Sequence, residues 1–261
     1  MVQSRPIKAV LFDLGNTLLD FEPTNIEQIF EVGSRKVYAY LQKKGYRLPS
    51  FNNYHRRELR RILWRVGIAR LIRRDFNGLD TLRRISLSMG HRLSQEELEE
   101  MVWLWYDPLS NTARVAGEVR EVLDWLVQHN LKLGIISNTF VPGVILDRHL
   151  AREGLLDYFP VRIYSCDTKF RKPSRKIFRL ALEKLSCPAQ QVVFVGDVPR
   201  MDIRGARRLG MIGVLKDYHQ PRNLRDRWLP YTRPDFTITN MQQLKDIVEQ
   251  LQEPGSQLSL F

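Results

Sequence analysis

Side chains suited to binding cations and anionic groups occur in four short segments, each at the end of an apolar run or beside a turn. The segments are Asp13-Leu14-Gly15-Asn16-Thr17, Ser137-Asn138, Lys172-Pro173, and Gly196-Asp197 followed by Asp202. Asp13 and Asp197 offer carboxylate oxygens, the hard ligands that Mg²⁺ prefers, and such a site leaves room for water and a phosphate oxygen. The residue types therefore predict a magnesium site that handles phosphate groups.

Hydrophobic patterning predicts the elements that position these residues. The apolar run before Asp13 is typical of a buried strand that ends at this aspartate, and open α/β sheets place their sites at the carboxyl ends of strands. Further strands are predicted at residues 131–137, 161–165, 192–197, 212–215 and 235–239, and helices at 116–129, 143–153, 174–186, 201–209 and up to about Leu251. Strands separated by helices favour right-handed βαβ units, so we predict an α/β fold with a Rossmann-like, doubly wound parallel sheet.

Residues 21–111 follow a different pattern, with helical periodicity and turn signals near residues 45–53, 77–78 and 90. Ser94 followed by Glu97 is the signature of a helix N-terminus. We therefore predict an inserted all-helical cap domain at 21–111, an α/β catalytic core at 1–20 and 112–252, and a flexible C-terminal tail at 253–261.

The four segments, in this order, resemble the motifs of the haloacid dehalogenase superfamily. The resemblance is to the branch whose helical cap lies between the first and second motifs, and it spans nearly the whole chain. Taken singly, each residue has an ordinary explanation: Asp13 caps a turn, Ser137 is a strand-end hydroxyl, Lys172 is a surface charge and Asp197 is the N-cap of a helix. All four together favour the functional interpretation.

The resemblance implies a mechanism centred on Asp13. In this family the matching aspartate attacks phosphorus in line, and water hydrolyses the resulting aspartyl-phosphate. The resemblance also implies that Asp13, Asp197 and the backbone carbonyl of Gly15 hold Mg²⁺, while Asp202 orients a metal-bound water or the lysine. The expected cofactor is Mg²⁺, and the expected reaction is hydrolysis of a small phosphomonoester, namely a sugar, nucleotide or acyl phosphate.

The resemblance assigns the phosphate group to three residues. Lys172 neutralises charge on Asp13 and on the phosphate, and the Ser137 hydroxyl and the Asn138 backbone N–H donate hydrogen bonds to phosphate oxygens. Asp13, Ser137 and Lys172 are therefore the expected catalytic residues, and Ser137, Asn138 and Lys172 the expected phosphate-binding residues.

Gly15 departs from the family's phosphatases, which usually carry a second aspartate there as general acid and base. General acid–base catalysis contributes about 10²- to 10⁴-fold, so its loss slows turnover without abolishing it. Some sugar-phosphatase-like members share the Asp-x-Gly-Asn pattern. We expect a bias toward acyl or anomeric sugar phosphates, whose leaving groups need little protonation. His55 and His91 are candidate substitutes for the acid, although a lone histidine on a helix is more often structural.

Two other activities of the superfamily fit the sequence less well. Its dehalogenases use the same aspartate without a metal and typically lack the Gly-Asp pair that stands here at Gly196-Asp197. Its mutases normally need the second aspartate that Gly15 replaces.

The cap decides the substrate in this superfamily. The cap aromatics Trp64, Trp103, Trp105 and Tyr106 either line the substrate pocket or form the cap's own core.

The chain is basic, with a formal net charge of +12, which attracts phosphate-bearing partners of any size. Eight arginines fall within residues 56–74, where Glu58 is the single acid. They form either a solvated helix face or a nucleic-acid surface.

Cys166 and Cys187 have no metal-binding spacing and are expected to be buried thiols. No signal peptide or apolar stretch of roughly 20 residues is present, so we expect a cytoplasmic protein.

The C-terminal letters resemble a consensus by which bacterial replication and repair proteins dock on the DNA sliding clamp. They are Gln257, Leu258, Ser259, Leu260 and Phe261. In such a tail the apolar side chains fill a groove while the glutamine hydrogen-bonds at its edge. The alternatives are that the apolar residues fold back onto the protein or that the letters match by chance. An alternative function is therefore a clamp- or DNA-associated factor with a weak or vestigial phosphatase core.

Overall fold

The computed structural model describes residues 6–72, 75–88, 90–168, 170–217 and 231–253. Its strands are β1 (Ala9–Phe12), β2 (Asp20–Phe21), β3 (Ala113–Arg114), β4 (Lys132–Ser137), β5 (Val161–Tyr164), β6 (Val192–Gly196), β7 (Ile212–Lys216) and β8 (Phe236–Ile238). Its helices are α1 (Ile26–Lys43), α2 (Phe51–Ile72), α3 (Gly78–Ser88), α4 (Gln95–Ser110), α5 (Gly117–Gln128), α6 (Gly143–Arg152), α7 (Ser165–Thr168), α8 (Arg175–Leu185), α9 (Asp202–Arg207) and α10 (Gln243–Gln252).

Six strands form one parallel sheet in the order β5-β4-β1-β6-β7-β8. Alternate residues of β1 enter two separate apolar clusters: Val10 and Phe12 pack on one face of the sheet, Ala9 and Leu11 on the other. Each face is covered by helices, which is why the strand reads as an unbroken apolar run. This sheet confirms the predicted α/β, Rossmann-like, doubly wound fold, and the predicted strands coincide with the observed ones to within a few residues.

Helices α1 to α4 lie between β2 and β3, within the range 21–111 for which a helical insert is predicted. β2 and β3 pair antiparallel, with Asp20 opposite Arg114. The point where the chain enters the helical segment therefore lies next to the point where it returns. Ser94 and Glu97 make the predicted capping box at the start of α4. The predicted boundary at residues 20 and 21 falls inside β2, and the domain division stays a prediction.

Close packing of α1 on α4 holds the insert together. A Cβ on Gly33 would lie 2.5 Å from the Trp105 carbonyl oxygen, so the two helices approach only because this residue is glycine. Phe30 stacks on Trp105 with ring centroids 4.9 Å apart. Trp103 and Tyr106 are also buried, which favours the cap-core interpretation of these aromatics, whereas Trp64 is 66% exposed.

The structure describes part of the arginine-rich segment. Arg56, Arg57, Arg60 and Arg61 are exposed on α2, but the side chains of Arg65 and Arg70, residues 73 and 74, and the tail from residue 254 lie outside the described residues. Both cysteines are buried free thiols, as expected. Among the described helices, none is long and apolar enough to cross a bilayer.

Candidate active site

The carboxyl ends of three neighbouring strands bring the predicted residues together. Phe12 of β1 is level with Ile135 of β4 on one side and with Val195 of β6 on the other. Asp13 extends this register, since its N–H donates to the Val195 carbonyl at 2.8 Å. Ser137 ends β4 and Asp197 follows β6, so both emerge at the edge where Asp13 emerges.

Lys172 is a buried cation between two carboxylates. Its Nζ lies 2.7 Å from Asp13 Oδ1 and 2.6 Å from Asp202 Oδ1, and its side chain is only 2% exposed. Burial alone would lower the pKa of Lys172, but the charges of Asp13 and Asp202 outweigh it and raise the pKa above its usual value. The lysine is therefore charged at neutral pH and is not a surface residue.

Asn138 positions Lys172 through its side chain. Its Oδ1 accepts the Lys172 N–H at 2.7 Å, and its Nδ2 donates to the Lys172 carbonyl at 3.1 Å. The peptide bond from Lys172 to Pro173 is cis. The family motifs indicate only the backbone N–H of Asn138, and this side-chain contact has no local sequence signal because the asparagine and the lysine are far apart in the chain.

Asp202 is the first residue of α9 and is almost completely buried. Its Oδ2 accepts the Val198 N–H at 2.9 Å, while its Oδ1 faces Lys172. A Cβ on Gly196 would lie 2.6 Å from the Asp202 Cβ, so a glycine at the end of β6 is needed to leave room for this carboxylate. Both oxygens of Asp202 are engaged.

The donor set fits a divalent cation. Asp13, Asp197 and Asp202 each offer a carboxylate oxygen, and these atoms lie within 4.8 Å of one another. Burial raises the pKa of Asp197, and the neighbouring charges of Asp202 and Asp13 raise it further, because three carboxylates face a single lysine. A bound cation would relieve this repulsion. Hard oxygen ligands of this kind suit Mg²⁺.

The loop after Asp13 is held by a lysine that no motif indicated. Lys216 ends β7 and is buried, and its Nζ donates to the Thr17 carbonyl at 3.1 Å and to Asp20 Oδ1 at 3.0 Å. Within the loop, Asn16 has a φ of 55° and its N–H donates to the Leu19 carbonyl at 2.7 Å. These contacts fix the backbone that includes Gly15.

Gly15 has room for a side chain. A Cβ there would have Phe21 Cε2 as its nearest neighbour, at 3.7 Å, which is ordinary van der Waals contact.

The two candidate histidines have contacts within the insert. His55 stacks on Phe51, and the Nε2 of His91 lies 2.9 Å from the Arg47 carbonyl oxygen. Among the described contacts, neither histidine meets Asp13 or Lys172.

The loop between α2 and α3 ties the insert to the core beside these residues. Ser165 Oγ donates to Asp75 Oδ2 at 2.5 Å, and Arg171, the neighbour of Lys172, lies 3.3 Å from Asp75 Oδ1. The Gly78 N–H donates to the Phe140 carbonyl at 2.9 Å. The insert therefore contacts both the segment after Asn138 and the segment before Lys172.

Comparison with known proteins identifies the family of this chain. The chain is 27% identical to a ribulose-1,5-bisphosphate 5-phosphatase of Halopiger xanaduensis, over 92% of this chain and 98% of that protein. It is 29% identical to a glyceraldehyde 3-phosphate phosphatase of Methanopyrus kandleri, over 94% of this chain and 98% of that protein. The crystal structure of an HAD phosphatase from Thermococcus onnurineus matches with a TM-score of 0.59 and 26% identity, over 95% of this chain and 100% of that one. A family profile for haloacid dehalogenase-like hydrolases matches residues 7–210, and the chain belongs to that family.

Proposed function

We propose that this hydrolase is a Mg²⁺-dependent phosphatase that cleaves a small phosphomonoester through an aspartyl-phosphate on Asp13. The observation that carries the proposal is the buried Lys172 ammonium held between Asp13 and Asp202, with Asp197 at the same sheet edge. Such a cluster suits a reaction in which an anionic nucleophile must meet an anionic substrate.

Asp13 is the proposed nucleophile. Its carboxylate oxygen forms a bond to phosphorus as the bond from phosphorus to the leaving oxygen breaks, and the leaving group departs as an oxyanion that takes a proton from solvent. Water then attacks phosphorus, the bond from phosphorus to Asp13 breaks, and inorganic phosphate and a proton are released as the Asp13 carboxylate re-forms. Asp13, Asp197 and the Gly15 carbonyl would hold Mg²⁺, which when bound offsets the repulsion between carboxylate and phosphate. Because both Asp202 oxygens are engaged, we assign Asp202 to orienting Lys172 or a metal-bound water.

The phosphate oxygens are proposed to bind Lys172, the Ser137 hydroxyl and the Asn138 backbone N–H. The pKa of Lys172 is raised by Asp13 and Asp202, so its ammonium group is charged before the substrate binds. The substrate class follows from the relatives, which are named for ribulose-1,5-bisphosphate and glyceraldehyde 3-phosphate. We accordingly propose a small phosphorylated metabolite, with acyl and anomeric phosphates favoured because Gly15 supplies no acid.

The test is phosphate release with and without Mg²⁺ across sugar, nucleotide, acyl and aryl phosphates, with Asp13→Asn as the blank. We expect metal-dependent release that disappears in Asp13→Asn. Hydrolysis that persists in Asp13→Asn would exclude the covalent intermediate. Equal rates for alkyl and anomeric esters would contradict the leaving-group preference but not the mechanism.

A second proposal concerns the C-terminal tail, whose letters from Gln257 to Phe261 match the sliding-clamp consensus. The observation that favours it is the exposed row of Arg56, Arg57, Arg60 and Arg61 on α2, which would suit a protein held beside DNA. Deleting residues 257–261 should abolish capture by an immobilised bacterial clamp and leave phosphate release unchanged. If the full-length chain is not captured, the clamp proposal fails.

A further inference from the structure

The exposed face of α2 carries several positive charges that no acid on the same helix offsets. The exposed side chains in the described part of α2 are those of Asn52, Asn53, Arg56, Arg57, Arg60, Arg61 and Trp64. Glu58 is the only acid of α2, and it is 2% exposed and accepts the Ser34 hydroxyl at 2.7 Å. Burial raises the pKa of Glu58 to about 7, so at neutral pH it carries only part of a negative charge. The charge of the arginines is therefore not neutralised within α2.

Arg56, Arg60 and Trp64 form one line along this face, the basic ridge. Residues four positions apart lie on the same side of a helix, about 6 Å apart along its axis at a rise of about 1.5 Å per residue. Arg57, three residues before Arg60, lies beside the ridge. Within the part of the chain that the structure describes, no carboxylate forms an ion pair with Arg56, Arg57 or Arg60. Their guanidinium groups are therefore available to an anion from outside the chain.

Trp64 adds an aromatic surface to these charges, since it is 66% exposed. An exposed indole ring can stack on a nucleic-acid base, and a guanidinium group binds phosphate oxygens through two parallel hydrogen bonds. The spacing of the ridge is also similar to that of neighbouring phosphates along an extended single strand. The ridge thus combines the two contacts by which proteins bind single strands without reading their sequence.

We propose that the basic ridge of α2 binds single-stranded nucleic acid, with Arg56 and Arg60 on phosphate groups and Trp64 stacked on a base. A duplex fits less well, because its bases are already paired and stacked and offer no open face to the ring. A membrane surface also fits less well, because it requires an extended apolar face, and Trp64 is the single apolar residue among the exposed ones described on α2. The site requires neither the phosphatase activity nor the C-terminal tail.

The test compares two dye-labelled strands of about 12 nucleotides, a length within the range of common single-strand sites. One is an oligothymidylate, and the other has the same sugar-phosphate chain without bases. Neither carries a terminal phosphate, and EDTA is present, so the proposed active site has no phosphomonoester to bind. Binding to the full-length protein is measured by fluorescence anisotropy at several salt concentrations. We expect the oligothymidylate to bind roughly fivefold or more tightly than the abasic strand, because stacking acts on the first alone.

Substitutions on the ridge separate the two contacts. Trp64→Leu should bring the two strands to the same affinity. Arg56→Gln combined with Arg60→Gln should weaken both strands by the same factor. It should also reduce the slope of log affinity against log salt by about 1.4, since each phosphate contact on a single strand contributes about 0.7. All three side chains are exposed, so the thermal midpoint should not change.

The matched control removes the same charge at the same spacing from another helix. Arg175 and Arg179 are exposed on α8, four residues apart, and Arg175→Gln combined with Arg179→Gln should leave the salt slope within about 0.3 of that of the unmodified protein. An equal loss from the α8 pair and the α2 pair would show attraction by net charge alone and would overturn the proposal.

Three further results would also overturn it: no binding of either strand, equal affinity for the two strands, or a preference for bases that persists in Trp64→Leu. Vesicles of phosphatidylcholine and phosphatidylserine are the second probe, and tighter binding to them than to the oligothymidylate would assign the ridge to a membrane surface instead. Protein lacking residues 257–261 should bind the oligothymidylate as the full chain does, and loss of binding would place the site in the tail. Phosphate release from small esters is measured separately, so its absence would contradict the phosphatase proposal alone.

Discussion

The side-chain amide of Asn138 brackets the main chain of Lys172: it accepts the Lys172 N–H at 2.7 Å and donates to the Lys172 carbonyl at 3.1 Å. An amide does both because it carries one acceptor and one donor group. The position of Lys172 therefore depends on an asparagine that follows β4, and the Ser137-Asn138 and Lys172-Pro173 segments are held together as one unit.

Asn138→Ala should disturb Lys172 without removing it. We expect kcat/KM for phosphate release to fall by roughly 10- to 100-fold, because small misplacements of a charged group are costly. The free energy of unfolding should fall by about 1–3 kcal/mol from the unpaired backbone groups. Asn52→Ala on the exposed face of α2 is the control and should behave like the unmodified protein. An Asn138→Ala enzyme of full activity would show that the bracket is dispensable.

Gly15→Asp should place an acid near Asp13, the proposed nucleophile. The nearest atom to a Cβ there is Phe21 Cε2 at 3.7 Å, so a Cβ at this position makes only ordinary contacts. Turnover of alkyl phosphomonoesters should rise about tenfold or more, within the range of general acid catalysis, whereas acyl phosphates should change little. Gly15→Asn has nearly the same shape but cannot donate a carboxylic proton. A gain shared by Gly15→Asn would rule out acid catalysis as the cause.

Glu58 makes stability depend on pH. Its pKa is about 7 in the folded protein, above the unperturbed value of about 4.3. Between these values the unfolded chain loses a proton that the folded protein keeps, so the unfolding free energy falls as pH rises. The contribution is fully present below pH of about 4 and is lost by about pH 7, a change of roughly 4 kcal/mol.

The measurement is urea unfolding at several pH values from 4.5 to 7.5, with Glu58→Gln as the reference. The unfolding free energy of the native chain minus that of Glu58→Gln should decrease as pH rises. The other titrating groups are the same in both proteins, so their contributions cancel in this difference. A difference that does not vary with pH would mean that Glu58 is ionised in the folded protein.

Mg²⁺ should stabilise the folded protein through the acidic cluster. A ligand at about 100 times its dissociation constant raises the unfolding free energy by about 2.7 kcal/mol. Asp197→Asn should remove most of this effect, measured as the shift in thermal midpoint between Mg²⁺ and EDTA. Asp124→Asn, on α5, is the charge-matched control. If Asp197→Asn keeps the full shift, the cation is held elsewhere.

The sheet and the sequence motifs were predictable because their signals are local. The short apolar runs before Asp13 and Asp197 are typical of buried strands, and parallel strands bring their carboxyl ends to one edge. The order of segments then indicated which residues meet. The positions of residues that lie at the ends of strands could therefore be predicted from the sequence.

Contacts between distant segments gave no such signal. Lys216 reaches Asp20 across most of the chain, and nothing near either residue indicates the pairing. Glu58 looked like the lone acid of an arginine-rich helix, and only tertiary packing turns it inward against Ser34. The histidines were considered for their chemistry, but packing inside the insert decides what they touch.

The pairing of Asp20 with Arg114 has a further consequence for how this architecture varies. A segment inserted between β2 and β3 begins and ends on facing residues of this two-stranded ribbon. Its length therefore does not change the register of the parallel strands. The entropy of closing a longer loop grows only slowly with length. The ribbon is thus a junction at which the helices between β2 and β3 can be exchanged for others while Asp13, after β1, stays in place.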